Sequence, residues 1–555
     1  MRRVSIPFVI AIASASFTTA YKANHKVWPA CRVELYSEAS IVLRTVSLEA
    51  FTFAYTGHFD SILKEAETRF LQTLANVVPQ DATPYPVNPD RKDIWSLIGI
   101  RINVLTDETV LRYKVDESYE LQIRPVIDND GYILLEAPTI YGVLHGLQTL
   151  LQLFEFGWID GSGSFYDEGS DGNNGVPTYL IRDTPLQITD GPAYPYRGLL
   201  IDTARHFLPL SLILQNLDAM AMNKLNVLHW HVTDSQSWPF QSSSFPDLSA
   251  KGSYCAECVY SPADVNLVVE QAAARGIRII AEFDLPGHSQ AIGAAYPEFM
   301  TNCGDAIPSE PLDATNPALY SFVHRLYNEI ATLWPDQWIH IGGDEVSMDC
   351  WKNSTKIQKW MQEHNMTSEV QLLDYFERDL MDYVTVTLKK RPIVWQELFD
   401  ANVALPKETV IDVWKSWDLS ARFKATAQSY QVLISACWYL DHLNQDWLSF
   451  YGCDPRDFNG TSAQKALVIG GHASMWGERV DETNFLARVW PRASATAEKL
   501  WTGNTTSAIL SARPRLETFR CLMNQQGFPA SPISPGTCAH KKQRSYFTST
   551  VANKL

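Results

Sequence analysis

Positive charge is scarce in this sequence. Of its 555 residues, 46 are Lys or Arg and 62 are Asp or Glu, giving a formal net charge of −16 at pH 7. A nucleic-acid binder carries a basic face, and so does a protein held to an anionic membrane, so the balance argues against both. Long apolar runs are missing as well. Beyond the N-terminus no stretch of 18 apolar residues occurs that could span a bilayer. One C-x2-C, Cys255 and Cys258, stands without a second pair or a nearby ligand pair, which excludes a zinc-ribbon arrangement. Charged residues make only 19 % of the chain and hydrophobic ones 46 %, so it is not disordered. The acidic balance fits a neutral or cationic partner, an acidic compartment, or solubility alone.

The N-terminus carries a signal of its own. Arg2 and Arg3 precede an apolar run from Ile6 to Phe17, with small residues up to Ala20, the layout of a secretory signal peptide over residues 1–20. Sequons at Asn353, Asn365, Asn459 and Asn504 agree with a secretory route. An oxidising compartment permits disulfides, and nine Cys is odd, so at least one lies outside any intrachain pair.

Residues 21–193 read as a smaller α+β domain. Helical spacing runs through Phe59, Ile62, Leu63, Ala66, Phe70 and Leu74, and again over Tyr141–Phe154. Alternation at Tyr119–Ile123 and Tyr132–Leu135 predicts strands. Asp160–Gly175 has five Gly among sixteen residues and reads as an exposed loop open to proteolysis.

From residue 194 to 555 the texture changes to short apolar strands alternating with helices. Eight strands are predicted, at Leu199–Thr203, Asn226–His231, Ile277–Phe283, Trp338–Ile341, Pro392–Trp395, Val410–Trp414, Val432–Ala436 and Val468–Met475. Ser261-Pro262 and Asn316-Pro317 pair an N-cap with a first helical proline. The pattern predicts an α/β fold with a (β/α)8 barrel as its catalytic domain. Such barrels work at the C-terminal ends of their strands, and here those ends are rich in Trp and carboxylate, which suits a sugar site.

The sharpest motif is His340-Ile-Gly-Gly-Asp-Glu-Val346. Two glycines allow an unusual turn, and two adjacent carboxylates then enter the barrel mouth. With Asp344 ionised about 6 Å away and an effective dielectric near 20, ionising Glu345 costs roughly 2.8 kcal/mol, about two pKa units. The expectation is a raised Glu345, protonated near neutral pH and ready to act as an acid.

Together with Arg197–Pro209, Lys224–His231, Glu282-Phe-Asp-Leu-Pro-Gly-His288 and Trp490-Pro-Arg-Ala493, this motif resembles the β-N-acetylhexosaminidases of glycoside hydrolase family 20, above all their eukaryotic lysosomal and secreted branch. The resemblance implies a retaining exo-glycosidase that removes terminal β-linked N-acetylglucosamine or N-acetylgalactosamine. The substrate's own 2-acetamido oxygen attacks the anomeric carbon, and no cofactor or metal is called for. It implies Glu345 as acid and then base, and Asp344 as the group that orients the acetamido. Arg197 would grip sugar hydroxyls with Asp234 near by. Trp395, Trp414 and Trp476 would box the acetamido group, Tyr439 would bond its oxygen, and Asp441 and Glu478 would hold the far hydroxyls. His288 would support the site. A carboxylate at 441, beside His442, would repel a 6-sulfate, where relatives that accept sulfated sugars carry a neutral or cationic pair.

Further implications concern disulfides and partners. Cys303 with Cys350, and Cys521 with Cys538, resemble the family's barrel disulfides. Cys255 with Cys258 is a candidate pair, and Cys437 with Cys453 is one by elimination. Cys258 stands where many animal relatives have a His thought to link Asp234 with the acid, which puts that link in question. The implied partner is a glycan or glycoconjugate ending in N-acetylhexosamine, with no nucleic acid and no membrane insertion. A homodimer and a lysosomal, vacuolar or extracellular location follow the family habit.

Two rival readings remain at this stage. His229-Trp-His231 puts two imidazoles on one face of a strand, and with Asp234 and His288 could hold a metal for amide hydrolysis. An inactive barrel that only binds sugars is the other.

Overall fold

The structure is a computed structural model. It describes residues 27–31, 33–45, 48–76, 94–123, 131–159, 165–166, 176–303, 311–503 and 509–538. The signal-peptide reading, the sequon at Asn504 and most of the Asp160–Gly175 segment fall outside these residues.

Among the described residues, the N-terminal unit is a nine-stranded mixed sheet with two helices. Its strands are Val33–Thr45 (β1), Thr52–Gly57 (β2), Ile94–Ser96 (β3), Gly99–Val104 (β4), Tyr119–Ile123 (β5), Tyr132–Ala137 (β6), Glu155–Ile159 (β7), Phe165–Tyr166 (β8) and Val176–Asp190 (β9). The order is β2-β4-β6-β5-β9-β1-β3, with β7 on β9 and β8 on β7. So the part of the Gly-rich segment that is described, Phe165–Tyr166, is a short strand rather than loop. The helices Ser61–Ala75 and Ile140–Leu153 start where their side-chain caps dictate. Asp60 accepts from the Ile62 N–H and Thr139 from the Tyr141 N–H.

The second unit is a closed eight-stranded parallel barrel. Its strands are Tyr196–Asp202 (β10), Val227–Thr233 (β11), Arg278–Phe283 (β12), Trp338–His340 (β13), Arg391–Trp395 (β14), Val410–Val413 (β15), Gln431–Ile434 (β16) and Val468–Met475 (β17). All eight predicted strands are present, and β17 closes on β10. The helix Pro262–Ala273 has a full capping box from Ser261 and Asp264, and Asn316 caps Pro317–Leu333.

The barrel interior is layered. An apolar floor of Tyr196, Val227, Ile280, Trp338, Ile393, Val410, Leu433 and Ile469 fills its N-terminal end. Tyr113, from the N-terminal unit, packs on Trp338 with ring centroids 4.5 Å apart and stops that end. Among the described residues, the C-terminal mouth is thus the end of the barrel left for a ligand.

Four disulfides join Cys255 to Cys258, Cys303 to Cys350, Cys437 to Cys453 and Cys521 to Cys538. The ninth cysteine, Cys31, is buried. Asn353, Asn365 and Asn459 are exposed. Among the described residues no helix is long and apolar enough to cross a membrane.

Candidate active site

Above the apolar floor lies a layer of buried polar side chains. Glu282 is its centre. One carboxylate oxygen accepts from the Trp395 indole N–H at 2.7 Å. The other lies 2.8 Å from His229 Nε2 and 2.8 Å from His231 Nδ1. His472 pairs with Asp412 at 2.6 Å. This layer holds the first mouth residue, Trp395, from below.

The mouth is shaped by the turn after β13. Gly342 and Gly343 have φ of +76° and +92°. A Cβ on Gly342 would collide with the Asp284 carboxylate, so glycine is required there for close approach as well as for conformation. Glu345 follows at φ +49°, and His288, facing it, sits at φ +48°. Left-handed backbone at two non-glycine residues of one site is strain maintained by the surroundings. It drops Asp344 into the barrel, buried, and lifts Glu345 outward with its side chain 61 % exposed.

His288 stands among four carboxylates. Its Nδ1 is 3.2 Å from Asp234, and its Nε2 is 4.0 Å from Asp284, 3.7 Å from Asp344 and 3.6 Å from Glu345. Burial alone would push the imidazole toward neutrality, but Asp284 and Asp344 outweigh it and raise its pKa far above the usual value. The carboxylates around His288 therefore favour its imidazolium form. Asp284 and Asp344 are a coupled pair. Both are raised by burial first, Asp284 strongly and further by the charge of Asp344. Among the described residues, Asp344 Oδ1 is buried without a hydrogen-bond partner.

Next to this cluster Asp234 accepts from His231 at 2.9 Å and pairs with Arg205 at 2.7 Å. Burial opposes its charge, but the His231 and His288 hydrogen bonds prevail and hold it well below the carboxylate range. Arg205 is fixed by Asp202 at 2.9 Å and lies 5.1 Å over the Trp476 ring. Asp202, at the end of β10, also accepts the Arg205 and Gly477 main-chain N–H groups.

Aromatic rings make the opposite wall. Trp395 and Trp476 have centroids 5.9 Å apart, Trp476 and Tyr439 6.5 Å, and Tyr439 and Trp414 6.1 Å. Glu397 accepts the Trp414 indole N–H at 2.7 Å, and burial and then Asp344 raise its pKa to about 7. Asp441 and Glu478 complete the rim. Burial lifts Asp441 to about 6 against the opposing pull of His442.

Two expectations, for Arg197 and Glu345, need correction, and two open questions, the Asp234 link and the rival metal site, are answered. Arg197 is not at the mouth. It is the second residue of β10, so it lies at the closed end, fully buried, bonded to Glu117 of the N-terminal unit at 2.6 Å and 3.0 Å and 5.1 Å over Trp501. Arg205, at the other end of the same strand, is the arginine of the site. Glu345 is not raised in the free protein. The His288 imidazole 3.6 Å away lowers its pKa, which outweighs partial burial. The link between Asp234 and Glu345 is also not lost with a His at 258, because His288 makes it and Cys258 is bonded to Cys255. Nor do the two strand imidazoles form a metal site. His229, Glu282 and His340 offer atoms within 4.8 Å of one another, as do His229, Asp412 and His472, and Asp284, His288 and Asp344. Yet Glu282 already serves two imidazoles and an indole, His288 is cationic, and Arg205 brings a positive charge onto Asp234. A donor set neutralised in this way does not suit a divalent ion.

Sequence reading passed over Arg205, Asp284 and Glu397. All three sit just after strand ends, Arg205 and Asp284 inside motifs that carry the family resemblance, and the strand-end rule alone would have found them.

Comparison with known proteins places this geometry among relatives. Residues 194–504 match the catalytic domain of glycosyl hydrolase family 20, and residues 18–153 match a domain described as beta-acetyl hexosaminidase like. The chain is 36 % identical over 548 residues to beta-hexosaminidase subunit beta of Mus musculus, covering 96 % of this chain and 97 % of that one. It is 38 % identical over 524 residues to the alpha subunit of Bos taurus, covering 91 % and 93 %. Its fold superimposes on a Flavobacterium johnsoniae chitobiase with a TM-score of 0.74 and 28 % identity, over 91 % of this chain and 74 % of that one.

Proposed function

The chain belongs to glycosyl hydrolase family 20, and from that membership we propose how its barrel mouth performs the reaction. Its activity is that of a β-N-acetylhexosaminidase, an exo-glycosidase releasing terminal N-acetylhexosamine by substrate-assisted catalysis. The observation that carries the assignment of roles is the strained turn that sends Asp344 inward and Glu345 outward on either side of His288.

A terminal sugar enters with its 2-acetamido group against Trp395, Trp414 and Trp476. The free oxygen of Asp344 accepts the acetamido N–H and steers the carbonyl oxygen to the anomeric carbon. Tyr439 donates to that carbonyl oxygen. As the oxygen–carbon bond forms, the glycosidic bond breaks and Glu345 passes its proton to the leaving oxygen. Asp344 balances the positive charge on the oxazolinium ring. Water then attacks the same carbon, its bond to the acetamido oxygen breaks to restore the amide carbonyl, Glu345 takes the water's proton, and two inversions leave the configuration retained. Arg205 with Asp234, and Asp441 with Glu478, bond the remaining hydroxyls. In the free protein His288 holds Glu345 below its usual carboxylate value, and a sugar that displaces water from this exposed carboxyl opposes that and favours the protonated acid.

The test replaces the nucleophile. On aryl glycosides whose acetamido methyl carries one, two and three fluorines, kcat/KM is expected to fall stepwise, by about two orders of magnitude or more for the trifluoro compound. A flat response would mean that an enzyme group, not the acetamido oxygen, attacks.

The same premise supports wider readings. Residues 21–193 are read as the N-terminal domain and 194–555 as the catalytic one, a division supported by the end of β9 at Asp190 and the start of β10 at Tyr196. The disulfides fit a secretory route to a lysosome, a vacuole or the outside of the cell. Relatives named as alpha and beta subunits support assembly of two copies, which light scattering would register.

A further inference from the structure

Among the residues whose side chains are described, one tryptophan is exposed. Trp417 is 74 % accessible, while every other described tryptophan is buried or half-buried. Exposure of one indole would mean little by itself; what marks Trp417 is where it stands. Trp417 lies in the loop that leaves the C-terminal end of β15, three residues after Trp414. The two rings meet edge to face, with centroids 5.5 Å apart and planes at 83°. Trp417 thereby extends the aromatic row Trp395, Trp476, Tyr439 and Trp414 from the buried floor of the pocket to open solvent.

The loop is held. Asp418 N–H bonds Lys415 O at 3.1 Å, which makes a turn with Trp417 at its third position. Lys415 is tied to Asp400 at 3.0 Å and to Glu397 at 3.3 Å, and Glu397 in turn holds Trp414. Asp418 accepts from the Ser420 N–H at 3.2 Å at the start of the helix Ser420–Ala427. The ring is therefore presented on an ordered support, which reduces the entropy lost when it is covered.

Resting on the exo-glycosidase reading above, we infer that Trp417 is the platform for the sugar on the leaving side of the scissile bond. The inner pocket takes one terminal N-acetylhexosamine. The next residue of the substrate must emerge through the mouth, where the flat C–H face of a pyranose matches an indole face. Glu397 connects the two places. Its carboxyl feels the charge of Asp344 and bonds Trp414, against which Trp417 stands. The substrates so favoured are β-linked oligosaccharides with a pyranose in the leaving group, in preference to glycosides with a small leaving group.

The test compares wild type, Trp417→Ala and Trp417→Phe on N,N′-diacetylchitobiose and on methyl β-N-acetylglucosaminide, whose methyl group cannot stack. For Trp417→Ala, kcat/KM on the disaccharide is expected to fall about five- to tenfold, mainly through KM. On the methyl glycoside it should stay within about twofold, as for an exposed side chain distant from the bond that breaks. Trp417→Phe, which keeps a ring, should recover most of the loss. Equal losses on both substrates, or none on either, would overturn the platform. A wild type inert toward both substrates would instead overturn the exo-glycosidase reading beneath it.

Discussion

At the residue scale, the site turns on His288. Its position cannot be read from neighbouring sequence, because His288 and Glu345 are 57 positions apart in the chain. Sequence proximity supplied Asp344 as the dominant charge on Glu345 and led to a raised pKa. Folding supplies a cation 3.6 Å away, and the sign reverses. That gives a pH prediction. His288 holds down Glu345 and opposes the burial that raises Asp344. Substituting His288→Gln removes the positive charge, so both carboxyls should titrate higher. The bell of kcat/KM against pH should move upward on both limbs by about one unit, while kcat falls. A profile that stays in place or moves down would show that His288 does not set these charges.

At the element scale, strand ends decide what each residue can do. The eight barrel strands were legible because apolar runs, N-cap prolines and glycine stops coincide in the catalytic half. The long β1 and β9 were not. Their pairing contains register shifts near Val33, Tyr36 and Ile41, which break the two-residue alternation that marks a strand. Arg197 shows how motif matching fails where element geometry succeeds. Both Arg197 and Arg205 lie in one quoted motif, but only Arg205 follows the C-terminal end of β10. Arg197 instead joins Glu117, His145 and Asn226 in a buried cluster that docks the N-terminal unit, with Glu117 held to about 2 by Arg197 and His145 against the cost of burial. The loop after β16 carries Asp441, raised by burial to about 6. It is neutral below that pH and charged above it. Preference for a neutral sugar over its 6-sulfated form, measured as a ratio of kcat/KM values, should therefore rise as pH passes upward through about 6. A ratio independent of pH would separate Asp441 from this choice.

At the scale of the whole molecule, the N-terminal unit closes one end of the barrel and leaves the other for chemistry. Tyr113 stops the floor, the Glu117 cluster anchors the interface, and Trp28 bonds Ser494 O at 3.1 Å to tie the chain's start to its late helices. The adjacent carboxylates were legible from sequence as a pair. Their division of labour needed the turn, since only left-handed backbone at Glu345 separates their directions. That division is the central claim, and leaving-group dependence tests it most directly. kcat/KM would be measured for wild type, Glu345→Gln and Asp344→Asn on aryl β-N-acetylglucosaminides with poor and good leaving groups. An acid matters only when the leaving group needs a proton. The Glu345→Gln loss should thus be about two or more orders of magnitude with a poor leaving group and shrink toward wild type with a good one. The Asp344→Asn loss should be equally severe with both. If instead the Asp344→Asn loss shrinks and the Glu345→Gln loss does not, the two carboxylates have the opposite roles and the account is wrong.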